Sequence, residues 1–243
     1  MNRSHASGKV FLVGAGPGNP GLLTLKALAI LQTADVVLHD DLVTPEILAL
    51  VRTPCLKNVG KRCGQKQISQ EGINEQMIEF AQFGLTVARL KGGDPLIFGR
   101  VAEEIAALRA AGIAFEIVPG VTAASAAAAA ARVPLTDRYS APHLMFIAGH
   151  HCSSSNALPE QAISPRTTLV VHMPGPDYAR ASQDLLAAGA HSSTPCLIVS
   201  CASQHCEEIR HTTVSELSRI QPLRPPAILL VGNAAAHYRA LET

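Results

Sequence analysis

Five short apolar runs in this chain are each followed at once by a loop holding glycine or a carboxylate. The loops are Gly14-Ala15-Gly16-Pro17-Gly18, His39-Asp40-Asp41, Gly60-Lys61-Arg62, Lys91-Gly92-Gly93-Asp94-Pro95 and Pro119-Gly120-Val121-Thr122. In an open α/β sheet, ligands bind in the crevice outside the carboxyl ends of the strands. If the runs are strands of one parallel sheet, all five loops face the same crevice. That arrangement predicts a small-molecule enzyme.

The segments between the loops agree. Residues 22–31 carry apolar side chains at helical spacing. Ser69 reads as the N-cap of a helix that turns Ile73, Met77, Ile78, Phe80 and Ala81 inward and stops at Gly84. Residues 101–111 form an amphipathic helix closed by Gly112. Strands are predicted at 10–13, 35–38, 57–59, 85–90 and 113–118. Alternating strands and helices predict an α/β fold with a parallel sheet. The almost all-alanine run 123–131 reads as a packed helix, because small side chains let backbones or a ligand approach closely.

Residues 134–142 are turn-rich and polar, a domain boundary or hinge. Beyond them, strands are predicted at 144–148, 168–173, 196–200 and 227–231, alternating with helices at 178–188 and 214–220. The chain therefore divides into two α/β domains, 9–137 and 138–243.

Composition narrows the function classes. A net charge of +1 over 243 residues argues against a nucleic-acid or membrane-surface partner held by bulk electrostatics. The 6 cysteines form no CxxC pair, which suits reduced thiols. No signal peptide or membrane-length apolar run is present, so the expectation is a soluble cytoplasmic protein. His150-His151-Cys152 and Cys201 with His205-Cys206 fit no common zinc spacing, so no metal is expected.

Gly16-Pro17-Gly18-Asn19-Pro20-Gly21 formally matches the G-x-G-x-x-G dinucleotide pattern, with Asp40 and Asp41 about 20 residues further on. A pyrophosphate cradle, however, works through backbone N–H donors, and Pro17 and Pro20 have none. The loop suits a ligand without phosphate, and a nicotinamide-dependent oxidoreductase stays as an alternative. Gly92 and Gly93 allow close backbone approach to a ligand, beside the acceptor Asp94. Asp40 is a candidate general base, or alternatively a turn aspartate. Lys61, Arg62, Arg89, Lys91, Arg100 and Arg138 place six cations in or near the crevice of a nearly neutral chain, as an anionic substrate would require.

The run from Val10 to Lys26, with Gly-Ala-Gly-Pro-Gly-Asn-Pro-Gly at its centre, resembles the opening of the tetrapyrrole methylases. Gly60-Lys-Arg-Cys-Gly64, Arg89-Leu-Lys-Gly-Gly-Asp-Pro-Leu-Ile-Phe-Gly-Arg100 and Val118-Pro-Gly-Val-Thr-Ala-Ala-Ser125 narrow the resemblance to the members that methylate uroporphyrinogen III. It extends over residues 9–240 and is weaker after 150. With no dehydrogenase/ferrochelatase portion, the chain resembles a stand-alone form.

The resemblance implies two α/β domains with a cleft between them, a homodimer, and S-adenosyl-L-methionine as methyl donor, with S-adenosyl-L-homocysteine as its product. It implies C-methylation of uroporphyrinogen III at C2 and C7, giving precorrin-2 for sirohaem or cobalamin. By the family pattern the donor is held by Pro17, Gly92, Gly93, Asp94, Ile97, Thr122 and Ala123, with Met173 and Ala202 added by the second domain. The resemblance likewise implies Asp40 as proton acceptor and Lys61 as proton donor. Arg62, Arg100 and Arg138 are nominated for the octacarboxylate substrate, on their charge alone.

Three positions depart from the pattern. The usual Tyr-Asp-Arg-Leu stands as His39-Asp40-Asp41-Leu42, where a second acid is expected to raise the first one's pKa. Met173 is followed by Pro174 rather than glycine, and the usual Asn-Gly-Thr stands as Cys201-Ala202-Ser203. Two further alternatives follow: a methylase of a later corrin precursor, and an inactive relative kept for tetrapyrrole binding.

Overall fold

The computed structural model describes residues 8–60, 68–149 and 163–237. Contacts divide the chain into two compact units, Met1–Thr122 and Ala123–Thr243. The turn-rich stretch at 134–142 lies inside the second unit. There Asp137 closes a turn, its Oδ1 accepting from the backbone N–H of Tyr139 and Ser140 at 3.1 and 2.7 Å.

The first unit runs β1 (Lys9–Gly14), α1 (Leu25–Thr33), β2 (Val36–His39), α2 (Pro45–Leu48), β3 (Leu56–Asn58), α3 (Gln70–Gln82), β4 (Val87–Lys91), α4 (Val101–Ala110) and β5 (Ala114–Val118). Its sheet has the order β3-β2-β4-β1-β5, with every pairing parallel. The five carboxyl ends therefore lie along one edge, together with the loops that follow β1, β2, β4 and β5. Both faces of the sheet are covered, as a parallel sheet requires. Alternate residues serve two cores: Val87 packs with Leu12, Ile73, Met77 and Leu108, whereas Ala88 and Leu90 pack with Leu31, Val37 and Ile47.

Local signals set the helix limits. Ser69 Oγ accepts from Gly72 N–H at 3.1 Å and opens α3. Thr24 Oγ1 accepts from Ala27 N–H, also at 3.1 Å, and opens α1. Gly112, at φ +66°, ends α4 in the left-handed region that favours glycine.

The second unit runs α5 (Ala123–Ala131), β6 (His143–Ala148), β7 (Thr167–His172), α6 (Tyr178–Ala187), β8 (Pro195–Ser200), β9 (Glu208–Thr213) and β10 (Ala227–Val231). The order is β6-β7-β10-β8-β9, and only the β6–β7 pairing is parallel. β10 runs antiparallel to both neighbours, so β7 and β8 point the same way and end at the same edge. Here the sheet is mixed, where alternation of elements predicts a parallel one. The strand missing from the sequence-based reading, β9, is a polar edge strand, Glu-Ile-Arg-His-Thr-Thr, with no apolar run to announce it. The helix expected over 214–220 is a single 3-10 turn, Leu217–Arg219. Val214 and Leu217 reach the same core through that turn, and it satisfies the apolar spacing that suggested a helix.

The alanine run is a packed helix. Ala124, Ala127 and Ala131 of α5 are buried in one cluster with Val170, Leu197, Val199, Ile228 and Leu230. No helix among the described residues is long and apolar enough to cross a membrane.

Candidate functional site

At the carboxyl edge of the first sheet, the loops are joined to one another through backbone groups. Gly16 N–H donates to the Gly93 carbonyl at 3.1 Å, and Gly93 N–H returns a bond to Gly16 at 2.8 Å. Asp94 links two more loops. Its Oδ1 accepts from Leu96 N–H at 2.8 Å and its Oδ2 from Gly120 N–H at 3.0 Å. Thr44 Oγ1, beyond the Asp40 loop, donates to the Gly18 carbonyl at 2.7 Å.

Glycine makes this approach possible. A Cβ on Gly14 would stand 2.6 Å from the Gly120 nitrogen and 2.8 Å from the Gly93 oxygen. One on Gly92 would stand 2.9 Å from Leu42 Cβ. Beside these loops Leu42 and Leu96 are both 58% exposed, and Phe98 is exposed too. The edge thus offers apolar surface and tightly placed backbone, a setting that fits a nucleoside sulfonium donor without phosphate.

Asp40 follows β2 and its carboxylate pairs with the guanidinium of Arg89 on β4. Arg89, expected among the crevice cations, is instead fully buried. Its Nε donates to Glu104 Oε1 of α4 at 3.0 Å. Lys91 is buried as well, and its Nζ donates to the same Glu104 oxygen at 2.8 Å. Burial holds the Lys91 ammonium below its ordinary range and the Arg89 charge adds to that, while Glu104 and Asp40 act in the opposite sense. Asp41 points its Oδ1 to Asn58 Nδ2 of β3, 2.7 Å away. Glu104 was not singled out from the sequence. The signal was an acid in the buried stripe Val101, Glu104, Leu108 of an amphipathic helix.

Of the donor residues implied by resemblance, Pro17, Gly92, Gly93, Asp94 and Ile97 share this edge with Asp40. Thr122 ends the segment after β5. In the second unit, Ala123 packs against the cluster that contains Ala202. Met173 and Ala202 follow β7 and β8 at one sheet edge. Among the nominated cations, Arg100 caps α4 and is held by Glu103 through two bonds of 2.8 and 2.7 Å. Arg138 is exposed in the Asp137 turn. Lys61 and Arg62 lie outside the described residues, as do His150, His151 and Cys152. Among the described residues no His, Cys, Asp and Glu cluster could hold a metal ion.

The dinucleotide pattern lacks its structural context. Gly21 lies in a 3-10 turn, Pro20–Leu22, and α1 begins only at Leu25 behind its own Thr24 cap. The fingerprint requires the glycine loop to open directly into the helix whose N-terminus receives the pyrophosphate.

Comparison with known proteins gives a consistent picture. The sequence model of the Tetrapyrrole (Corrin/Porphyrin) Methylases matches residues 9–218. Siroheme synthase 1 of Yersinia enterocolitica is 46% identical over 235 residues, which is 96% of this chain and 49% of that protein. The chain spans about half the length of the curated relatives it matches. Uroporphyrin-III C-methyl transferase from Thermus thermophilus, complexed with S-adenosyl homocysteine, superposes with a TM-score of 0.80 at 37% identity, covering 94% of this chain and 99% of that one. A cobalt precorrin-4 methyltransferase gives 0.76 at 30% identity, covering 97% and 98%.

Proposed function

Because the chain belongs to the tetrapyrrole (corrin/porphyrin) methylases, we propose that it is an S-adenosylmethionine-dependent C-methyltransferase that methylates uroporphyrinogen III at C2 and C7 to give precorrin-2. The observation that carries this reading is the 37% identity, over 94% of the chain, to a uroporphyrin-III C-methyl transferase that binds S-adenosyl homocysteine. The interlocked loops of the first unit support it independently, since they offer glycine backbone and apolar surface but no phosphate cradle.

Bound to the protein, the donor supplies an electrophilic methyl group on a sulfonium. A pyrrole carbon of the reduced macrocycle is an enamine-like nucleophile. A carbon–carbon bond forms as the sulfur–methyl bond breaks, and the sulfonium charge passes to the ring. The ring then returns to neutrality by losing a proton. The protein has two tasks: to hold the partners in line, and to take that proton.

In this reading Gly92, Gly93, Asp94, Ile97, Pro17, Thr122 and Ala123 hold the donor, with Met173 and Ala202 assigned to it by resemblance. Asp40 accepts the proton and Lys61 donates one. Arg62, Arg100 and Arg138 are nominated for the substrate's carboxylates by their charge. The division into domains 9–137 and 138–243, a homodimer and a cytoplasmic location belong to the same proposal. Sedimentation tests the dimer.

The deciding experiment is anaerobic incubation with uroporphyrinogen III and methyl-labelled S-adenosylmethionine, followed by mass and absorbance. A gain of two methyl groups is expected. Transfer to a later corrin precursor alone would favour the activity carried by the precorrin-4 neighbour. Stabilisation by NAD(P) and not by S-adenosylhomocysteine would return the dinucleotide alternative.

A further inference from the structure

β4 is the middle strand of a five-stranded parallel sheet covered on both faces. Such strands are apolar throughout. Here Val87, Arg89 and Lys91 alternate onto the face covered by α3 and α4, and two of the three are cations, 2% and 3% exposed. Glu104 meets them from α4 and is 0% exposed. Gln70 of α3 adds a long contact to Glu104 Oε1, 3.5 Å. Among the described residues, Glu104 Oε2 is buried with no hydrogen-bond partner.

Stability does not explain this arrangement. Withdrawing charges from water costs several kcal/mol per ion, and apolar residues of similar volume are often at least as stable. A buried carboxylate oxygen without a partner adds to that cost. The cluster has one outlet. Arg89 spends its Nε on Glu104 and its terminal nitrogens on the Leu38 and Leu90 carbonyls, at 3.5 and 3.3 Å, and on Asp40. Asp40, with 28% of its side chain exposed, is the only member reaching the open edge where the loops converge.

We propose that Glu104 is a positioning residue for methyl transfer: it fixes the guanidinium of Arg89, which in turn fixes the carboxylate of Asp40. The inference rests on the reading of Asp40 as proton acceptor. Glu104 anchors the Nε side of a planar group whose opposite edge holds Asp40, so the carboxylate cannot swing without breaking a buried pair. The same Glu104 oxygen also accepts from Lys91, so one carboxylate holds both cations of β4. The groups facing Asp40 are Arg89 and Lys91 from β4, with Glu104 of α4 behind them, and its neighbours His39 and Asp41. The His39 ring bonds the Asp40 carbonyl at 3.0 Å and Asp41 is engaged by Asn58.

The test compares wild type, Asp40→Asn, Glu104→Gln, and the double variant Glu104→Leu/Lys91→Met in methylation of uroporphyrinogen III. The double variant removes one buried charge of each sign and keeps folding in hand if Glu104→Gln does not fold. Both Glu104 variants should lose roughly 10- to 100-fold in kcat, as expected for misplacing a reacting group by about 1 Å. KM for both substrates and S-adenosylhomocysteine affinity should stay within about twofold of wild type, because Glu104 bonds none of the residues assigned to the donor. A folded Glu104 variant with wild-type kcat, or one whose loss lies in KM or S-adenosylhomocysteine affinity rather than in kcat, overturns the positioning role and leaves the methylase reading intact. Wild type without transfer, or Asp40→Asn with full turnover, overturns the Asp40 reading and the role of Glu104 with it.

Discussion

Gly14 is the last residue of β1, and replacing it with alanine tests whether the strand-end loops act as one body. The new Cβ would stand 2.6 Å from Gly120 N, 2.7 Å from Gly120 Cα and 2.8 Å from Gly93 O. All three are backbone atoms, so no side chain can swing away. Ordinary contact begins near 3.4 Å, so the loops after β4 and β5 must retreat by about 0.8 Å from the end of β1. Overpacking of this kind costs roughly 1–3 kcal/mol. For a chain of this size that is a fall of about 2–12 °C in Tm.

The same retreat disturbs the bonds that shape the loops proposed to hold the donor, Gly16 with Gly93 and Asp94 with Gly120. Losing about 1.4–2.8 kcal/mol of binding corresponds to a 10- to 100-fold rise in Kd for S-adenosylhomocysteine. Gly112→Ala is the matched control. Gly112 has φ +66° and open space around its Cβ position, so alanine there costs about 1–2 kcal/mol by conformation alone. Scanning calorimetry should show both variants destabilised, and titration calorimetry should show weakened ligand affinity only in Gly14→Ala. If Gly14→Ala binds S-adenosylhomocysteine as wild type does, the loops move independently and the interlocked site is wrong.

Three further outcomes follow. Asp40→Ala should lose roughly 10²–10⁴ in single-turnover methyl transfer while retaining S-adenosylhomocysteine affinity; weakened affinity with intact chemistry would make Asp40 a binding residue. Glu116 is held at about 2 by hydrogen bonds from Lys26 and then Lys9. Its folded pKa lies below the ordinary 4.5, so its contribution is present above that value and lost as pH falls toward about 2. Urea midpoints of Glu116→Gln should therefore fall less than wild type's between pH 5 and 2.5, and parallel curves would remove the contribution. Burial pushes the Cys196 thiol up to about 12, whereas Cys206 is exposed. At pH 8 a thiol reagent should label Cys206 in the folded protein and Cys196 only after unfolding, and peptide mapping distinguishes the two.

What the sequence discloses and what it conceals have physical causes. β1 and β2 lie inside the first sheet and are largely buried, so they appear as apolar runs, and glycine and capping residues mark element ends. Ser69 and Gly112 act where expected because caps and left-handed positions are decided within a few residues. β9 escaped because an edge strand with one open face keeps a polar composition. The antiparallel placement of β10 escaped because pairing direction depends on topology, to which local pattern is blind. The same distinction holds within the site. The placement of Asp40 and the Gly-Gly-Asp loop at the carboxyl edge was legible from type and spacing. The burial of Arg89 was not, because a cation at a strand end reads as solvent-facing until the acid that covers it, Glu104, is brought in from a helix 15 positions away.

The departures from the family pattern are accommodated in the backbone rather than left as defects. Asp41 and Asp40 take different partners. Asp41 bonds Asn58 while Asp40 pairs with Arg89, and Gly60 makes the space, since a Cβ there would lie 2.6 Å from Asp41 Cγ. At the second position Pro174 cannot take a positive φ, and the left-handed residues fall on either side of it, Met173 at φ 51° and Gly175 at φ 74°. At the third, Cys201 and Ser203 carry φ of 48° and 66°, while Ala202 between them does not share that region. Its methyl group is buried with Ala124 and Val199 and strengthens the cluster that carries the loop. Glycine at position 202 is therefore not demanded by the turn, and alanine stands there without backbone strain.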